Sequence, residues 1–335
     1  MKLFFLLLLT SLIFPYPSKN SLNGYSRSKS DYELVKGWPA LSEGYKLGQP
    51  TGIGIDKDQH IFVFHRAGRI WTTPFPDSVI SQNTVLELDN ESGKIIHSWG
   101  AGYFIMPHGL TVDKQSNIWL TDVGLHQIFK FSHEGKLLMK LGVAKVPGND
   151  SVHFNLPTDI AIGDDGSFYI SDGYGNSRVV KFSSTGKYIK SWGKFGNKPG
   201  EFNIPHGITI DLNNIIYVAD RQNNRVQLFD TAGHFIKELK NDASVEELPS
   251  IAIDEANHLF AIDYDPTIKK DSAVMGSTIF EFGSSQLAEN HFGATGSNDR
   301  TSSWFHDIAI DRKGNLYVGD IIGLKVLKFK LKKSF

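Results

Sequence analysis

Three histidines lie in three closely similar segments of this 335-residue sequence. The segments read MPHGLTVD, IPHGITID and WFHDIAID, and their histidines are His108, His206 and His306. Three imidazoles brought to one point would leave open positions on a bound ion, and three protein ligands with an open position are typical of catalytic zinc. Copper, iron and nickel also accept imidazole, so the residues predict a transition metal more firmly than they predict zinc.

The stretches between these histidines are repeats that continue from residue 45 to the end of the chain. Their starts read PTGIGID, PHGLTVD, PTDIAIG, PHGITID, LPSIAID and FHDIAID, and each continues into further short apolar runs. Up to four period-two runs per unit, at a spacing of roughly 50 residues, are typical of β-propeller blades. With six units and no long helical pattern, the sequence predicts an all-β fold, a six-bladed β-propeller.

A constant register places the histidines on alternate blades. The second residues of the six units are Thr51, His108, Thr158, His206, Pro249 and His306. The residues fourteen positions later are His65, Asp122, Asp172, Asp220, Asp263 and Asp320. The first strand of each blade lines the central channel, and alternate blades of a six-fold ring are about 120° apart. One such histidine would be an ordinary channel residue, but three in alternate blades favour a metal site on the axis.

Two arginines and a tyrosine are predicted on the same face as the histidines. Arg66 and Arg221 stand at the ends of the first hairpins of blades 1 and 4, and Tyr174 stands at the end of the first hairpin of blade 3. They share the histidines' face because the second strand of a hairpin returns to the face where the first strand began. Arginine binds carboxylates in bidentate fashion, which suits an anionic substrate. Tyr174 could transfer a proton, and we expect its pKa to fall beside a metal and arginine. Each residue alone reads as surface or packing, but together they indicate a site.

Asp307 suggests a second cation. It directly follows His306, where other blades have Gly, Asp159 or Ser250. A carboxylate beside an imidazole cluster could bind a harder ion together with backbone carbonyls. It could equally cap a strand or orient His306, and the residues alone leave these alternatives open.

From about residue 45 onward the chain resembles peptidyl-α-hydroxyglycine α-amidating lyase, a six-bladed propeller of NHL-like repeats. The specific motifs are FHRAGRIW and SDGYGNSR, whereas the PHGI units also resemble NHL repeats in general. The resemblance implies a catalytic zinc on His108, His206 and His306, with Arg66, Arg221 and Tyr174 as catalytic residues. It also implies a structural calcium, whose ligands would be Asp307 and the backbone carbonyls of Ile53 and Leu110. The implied reaction cleaves a C-terminal α-hydroxyglycine into a peptide amide and glyoxylate.

Composition and the N-terminus add expectations about location and partners. A net charge of −1 gives no reason to expect a nucleic-acid partner. Residues 1–20 have one lysine, an apolar stretch and a proline-broken polar end, which predicts a secretory signal and a secreted or periplasmic protein without stable membrane insertion. Residues 21–44 are predicted to be a linker and residues 45–335 the propeller. We expect a monomer that acts on a small peptide or related α-hydroxyglycine substrate.

Two other functions fit a propeller of this kind. The first is a non-catalytic NHL-type module that binds protein or glycan through its loops. The second is a calcium-dependent propeller hydrolase such as a lactonase, in which acidic and amide ligands would surround the channel. The three alternating histidines count against the hydrolase.

Overall fold

The chain forms six four-stranded antiparallel sheets in a computed structural model that describes residues 31–240, 247–265, 276–282, 288–293 and 302–332. Strand order within the sheets follows the sequence, except that the sixth sheet also includes a strand from the N-terminal segment. Within these ranges the helical element is a single turn of 3-10 helix, Arg221–Asn223. The prediction of an all-β, six-bladed β-propeller is confirmed.

Blades 1 to 3 each contain four consecutive strands, separated by turns. Blade 1 consists of β2 (Pro50–Ile55), β3 (Ile61–His65), β4 (Val85–Leu88) and β5 (Ile95–Trp99). Blade 2 consists of β6 (Pro107–Val112), β7 (Ile118–Asp122), β8 (Gln127–Phe131) and β9 (Leu137–Leu141). Blade 3 consists of β10 (Asp159–Ile162), β11 (Phe168–Asp172), β12 (Arg178–Phe182) and β13 (Tyr188–Trp192).

Blades 4 and 5 repeat this plan, and blade 6 combines both ends of the chain. Blade 4 consists of β14 (Pro205–Ile210), β15 (Ile216–Asp220), β16 (Arg225–Phe229) and β17 (Phe235–Lys240). Blade 5 consists of β18 (Ile251–Ile253), β19 (Leu259–Asp265), β20 (Gly276–Phe282) and β21 (Ala288–Phe292). Blade 6 consists of β22 (Phe305–Ile310), β23 (Leu316–Asp320), β24 (Lys325–Leu331) and β1 (Tyr32–Leu34).

Strand β1 lies within residues 21–44, the segment that the sequence predicted to be a linker, and is the outer strand of blade 6. It pairs antiparallel with β24, with Tyr32 opposite Leu331. The Tyr32 ring also stacks on Phe292 of blade 5 at a centroid distance of 4.7 Å. An unpaired outer strand exposes backbone donors and acceptors, so pairing it with the N-terminal segment covers the edge of blade 6. A strand of three residues is too short to be recognised in the sequence by its alternation of apolar and polar side chains.

The hydrophobic core lies between neighbouring blades. The second strands β3, β7, β11 and β23 are buried along their whole length, because both faces of these strands pack inside the molecule. Aromatic side chains fill the inter-blade space; for example, Trp119 of blade 2 contacts Phe168 of blade 3 at a centroid distance of 4.6 Å. This packing fixes the inner strands around the channel.

The aspartates at the fourteen-residue spacing hold the segments that lead into the channel strands. Asp122 accepts hydrogen bonds from the backbone N–H groups of Ile105 and Met106, just before His108. Asp220 and Asp320 do the same for the residues that precede His206 and His306. The repeated aspartate therefore positions the start of the first strand in all three histidine-bearing blades.

The predicted signal segment, residues 1–20, lies outside the described residues. Of the residues that the structure does describe, none belongs to a helix long and apolar enough to cross a membrane.

Candidate metal centre and active site

The three histidines meet on the propeller axis at the start of alternate channel strands. The His108 ring lies 4.7 Å from the rings of both His206 and His306, and the latter two are 5.1 Å apart. One ligand nitrogen from each histidine lies within 4.8 Å of the other two, and all three side chains are buried. The structure thus brings together the three residues that the repeat register predicted to converge.

Each imidazole is oriented by a backbone carbonyl of the blade that follows it around the ring. The Nδ1 atoms of His108, His206 and His306 lie 2.7, 2.8 and 2.8 Å from the carbonyl oxygens of Thr158, Pro249 and Thr51, respectively. A carbonyl can only accept, so each Nδ1 carries the proton and each Nε2 has a free lone pair. Such a second partner fixes the tautomer of metal-binding histidines.

The histidines are neutral in this environment. Burial lowers the pKa of His306 to about 3, and the nearby Arg66 guanidinium acts in the same direction. Burial, followed by the neighbouring imidazoles and arginines, also lowers the pKa of His108 and His206 well below the usual range. A metal binds neutral imidazole, so the electrostatic environment favours the form that a cation needs.

Tyr174 places its hydroxyl beside two of the imidazoles. The phenol oxygen lies 2.9 Å from Nε2 of His206 and 3.2 Å from Nε2 of His108. A phenol has one proton and can donate to only one of these acceptors. The Nε2 lone pairs of the three histidines therefore have a single proton among them, that of the Tyr174 hydroxyl. Such an electron-rich cluster fits a bound cation.

The protein groups alone raise the Tyr174 pKa, whereas the expected fall also depended on a bound metal. Burial raises the pKa of the phenol above its ordinary value, although the charges of Arg221 and Arg66 oppose this shift. The sequence predicted the neighbouring arginines correctly but did not reveal how far packing against the hydrophobic core desolvates this loop side chain. Burial is therefore the stronger effect in the structure.

Arg66 is a buried cation beside the histidines. Its Nε donates to the carbonyl of Pro107 at 3.1 Å and its Nη1 to Oε1 of Gln49 at 2.9 Å. Among the described residues no carboxylate lies within ion-pair distance of it, and burial lowers its pKa to about 10. A desolvated guanidinium without an anionic partner is suited to receive an anionic ligand.

Arg221 stands on the opposite side of the site and has a carboxylate partner that the sequence analysis missed. Its Nε donates to Oε2 of Glu247 at 2.7 Å, and its Nη1 lies 3.4 Å from the Tyr174 hydroxyl. Burial lowers the pKa of Arg221, but Tyr174 and Glu247 outweigh burial and the pKa is raised. Glu247 lies before blade 5, outside the repeat register, so no sequence signal connected it to this site.

Two tryptophans flank the arginines. The Arg66 guanidinium lies 5.3 Å from the centre of the Trp71 ring, and that of Arg221 lies 5.7 Å from the Trp304 ring. Trp71 also contacts the Tyr174 ring at 5.2 Å. Trp71 ends the FHRAGRIW motif, so this motif supplies a contact with two of the three catalytic candidates, Arg66 and Tyr174.

Further along the axis lies a pair of carboxylates, of which the sequence analysis predicted one. Asp307 accepts from Oγ of Ser250 at 2.6 Å, and both Asp307 and Asp159 line a small cavity with the three histidines. Burial raises the pKa of Asp307 to about 7, and burial together with the charge of Asp307 raises the pKa of Asp159 well above its usual range. Asp159 occupies in blade 3 the position that Asp307 occupies in blade 6. Because these blades are three apart in the ring, the two aspartates face each other across the channel. Their equivalent positions in the repeat could have been read from the sequence.

The predicted carbonyl ligands, Ile53 and Leu110, lie in the channel wall near these aspartates. Both line a cavity of about 240 Å³ together with Asp159 and Asp307. Ile53 contacts Asp307 through its N–H, which donates to Oδ2 at 2.7 Å. A buried carboxylate, Asp307, and a half-buried one, Asp159, with no Lys or Arg ion-pair partner in the described part of the chain would fit a hard cation.

The fold and site define a six-bladed β-propeller with three buried histidines on its axis. A family model described as a 6-bladed beta-propeller matches residues 148–275. The chain also aligns with a solved streptogramin B lyase at a TM-score of 0.59 and 16% identity, covering 90% of this chain and 98% of that one. At this identity the likeness shows the fold alone.

Curated relatives share much more of the sequence. The chain is 33% identical over 315 residues to peptidyl-glycine alpha-amidating monooxygenase B of Xenopus laevis, covering 89% of this chain and 35% of the relative. It is 32% identical to peptidyl-alpha-hydroxyglycine alpha-amidating lyase 1 of Drosophila melanogaster over an alignment of 362 positions, which covers 96% of this chain and 64% of the relative. The chain thus spans about a third of the first relative and under two thirds of the second. It is a homologue of the peptidyl-α-hydroxyglycine α-amidating lyases, and the resemblance that its motifs indicated is confirmed.

Proposed function

We propose that this chain is a secreted, zinc-dependent lyase that cleaves peptidyl-α-hydroxyglycine to a peptide amide and glyoxylate. The observation that carries the proposal is the position of the Tyr174 hydroxyl, which contacts two imidazoles of the centre and the Arg221 guanidinium. The homology to lyases named for this reaction supports it.

The residues around the axis fit a zinc ion. His108, His206 and His306 would hold it through Nε2, since each Nδ1 is occupied by a carbonyl. The bound ion would supply Lewis acidity toward the hydroxyl or carboxylate of the substrate. Three protein ligands would leave a position free for that group.

The arginines would bind and orient the substrate. Its carboxylate is the group that a desolvated, unpaired guanidinium recognises best, so we assign carboxylate binding to Arg66. Arg221 is held by Glu247 and points its Nη1 at Tyr174, so we assign it to stabilising negative charge on the phenol oxygen.

Tyr174 would move the proton. As a phenolate favoured by a bound cation and by the charges of Arg221 and Arg66, it would accept the proton of the substrate hydroxyl, whose oxygen then forms the carbonyl of glyoxylate as the C–N bond breaks. The bonding electron pair goes to the amide nitrogen, which takes the proton back from Tyr174. The reaction therefore returns the phenolate and needs no oxidant or reductant.

Asp307 and Asp159 are proposed to hold a structural calcium ion with the channel backbone near Ile53 and Leu110. Because an ion bound only by the folded state stabilises it, removing calcium with a chelator should lower the melting temperature by roughly 5–10 °C, and added calcium should restore it. Asp307→Asn should abolish this response, whereas Asp58→Asn, at an exposed turn, should leave it intact. A response in Asp307→Asn equal to that of the wild type would contradict the assignment.

Export is part of the proposal and rests on the sequence of residues 1–20. The positively charged start, apolar stretch and polar end are typical of a secretory signal. A mature protein that begins beyond this segment, recovered outside the cytoplasm of the producing cell, is the expected result of N-terminal sequencing.

The alternative is a non-catalytic binding module of NHL-like repeats. The two functions differ in whether the axial centre turns over substrate. Release of glyoxylate from a synthetic peptidyl-α-hydroxyglycine supports the lyase, whereas a folded, zinc-containing protein without turnover supports the module.

A further inference from the structure

A second group of potential metal ligands lies between blades 1 and 2, at the end of the strands opposite the histidine centre. Its members are Asp56, after β2; His60, before β3; Glu87, in β4; and His133, in the turn after β8. One ligand atom from each lies within 4.8 Å of the others. His133 Nε2 lies 3.1 Å from Asp56 Oδ2, and His60 Nδ1 lies 2.8 Å from Glu87 Oε1.

We propose that these four side chains bind a divalent transition-metal ion that connects blades 1 and 2. Two imidazoles and two carboxylates are a ligand set that zinc accepts, in a number that suits its preferred tetrahedral coordination. The Asp56 and Glu87 side chains are 0% and 4% exposed, whereas the His60 and His133 side chains are 33% and 29% exposed. The carboxylates thus form the buried side of the site, and the imidazoles border the route by which an ion would enter.

The other blades show that this cluster departs from the ordinary repeat. In blade 2, Asp113 corresponds to Asp56, and its Oδ2 accepts from the indole N–H of Trp119 at 3.0 Å and lies 3.1 Å from Nζ of Lys130. In blade 1 the residue at the Trp119 position is Phe62, which has no donor, and the residue at the Lys130 position is Glu87. Compared with blade 2, blade 1 therefore lacks the indole hydrogen-bond donor and has the Glu87 carboxylate in place of the lysine ammonium.

Charge balance favours a cation at this position. Within the described ranges, the imidazoles of His60 and His133 are the ion-pair partners of both Asp56 and Glu87. Two buried carboxylates beside neutral imidazoles would leave two uncompensated negative charges, which is costly in a desolvated site. A divalent ion would neutralise them, and protonation of both imidazoles is the competing solution.

The orientation of His60 favours the ion over protonation. Its Nδ1 is buried and makes no hydrogen bond to any described residue, although Glu87 Oε1 lies 2.8 Å away. The two atoms are close but are not aligned as donor and acceptor. A ligand atom directs its lone pair at the ion and not at the neighbouring ligand, and His60 has this arrangement, whereas His133 Nε2 is aligned for a hydrogen bond to Asp56 Oδ2 at 3.1 Å.

The test is the zinc content of the full-length protein after chelator treatment and equilibrium dialysis against Zn²⁺ with calcium present. The wild type should bind about two zinc ions per chain, one at each histidine-containing centre. Glu87→Lys should bind about one, because it restores the Asp–Lys arrangement of blade 2 and places a cation among the three remaining ligands, Asp56, His60 and His133. This variant should fold at least as well as the wild type, so a loss of zinc would not reflect unfolding.

Two further variants separate this site from the axial centre. Lys130→Gln changes the matching strand position of blade 2 and should retain about two zinc ions, while His108→Ala should lose the axial ion and retain the one in blade 1. Glu87→Lys with wild-type zinc content, or His108→Ala with no zinc, would overturn the proposal. The assignment of the axial centre is tested separately, by whether His108→Ala loses one zinc ion.

Discussion

Tyr174→Phe is expected to lower kcat by about 10²–10⁴-fold while the fold and the zinc content are preserved. The substitution keeps the ring, and with it the edge contacts to His108 and His206, and removes only the hydroxyl. That oxygen is the group nearest both the imidazole nitrogens and Arg221 that can take up and return a proton. Without it, proton transfer from the substrate would depend on solvent.

The measurement is steady-state glyoxylate release at matched zinc occupancy. Tyr169→Phe is the matched control: this tyrosine is buried in the same blade, and its hydroxyl makes no hydrogen bond to any residue the structure describes. Its loss should leave kcat within about threefold of the wild type, well below the effect of a proton-transfer group. Activity of Tyr174→Phe in that same range would contradict the role of the phenol.

Arg66→Met should lower kcat/KM by about 10²–10³-fold without loss of stability. Burial lowers the pKa of this guanidinium to about 10, which corresponds to a cost of about 3 kcal/mol for holding its charge in the folded protein. Methionine fills a similar space without that cost, which offsets the hydrogen bonds lost to Pro107 and Gln49. We therefore expect the free energy of unfolding to be unchanged or higher.

Arg178→Met is the informative comparison for Arg66. Arg178 is also buried, but its Nε donates to Asp172 at 2.9 Å, so its removal leaves a buried carboxylate without its cation. We expect a loss of about 3–5 kcal/mol of stability with turnover largely retained in the folded fraction. Denaturant unfolding and kinetics on both variants check the pair; equal destabilisation by both would mean that Arg66 is a structural residue.

The repeat register explains why so much of the site could be predicted. Once the fourteen-residue spacing fixed the first hairpin of each blade, the alternation of His108, His206 and His306 required them to converge on the axis. The ends of the same hairpins placed Arg66, Arg221 and Tyr174 on that face. These inferences needed only the symmetry of the ring and no knowledge of individual contacts.

What could not be predicted lies outside that register or depends on burial. Glu247 approaches Arg221 from a segment between blades, and β1 joins blade 6 across nearly the whole length of the chain. The pKa of Tyr174 is raised because packing against the core desolvates the phenol, which no local sequence pattern reports. The cluster around Glu87 combines residues from two blades, and only a comparison of equivalent strand positions in the structure reveals it.

The most direct test of the proposed lyase is to incubate the wild-type protein, loaded with zinc and calcium, with a synthetic peptidyl-α-hydroxyglycine and to quantify both products. We predict that peptide amide and glyoxylate form in equal amounts, that chelation of zinc abolishes their release, and that added zinc restores it. A folded, zinc-containing protein that releases no glyoxylate above the rate of the protein-free substrate would contradict the account.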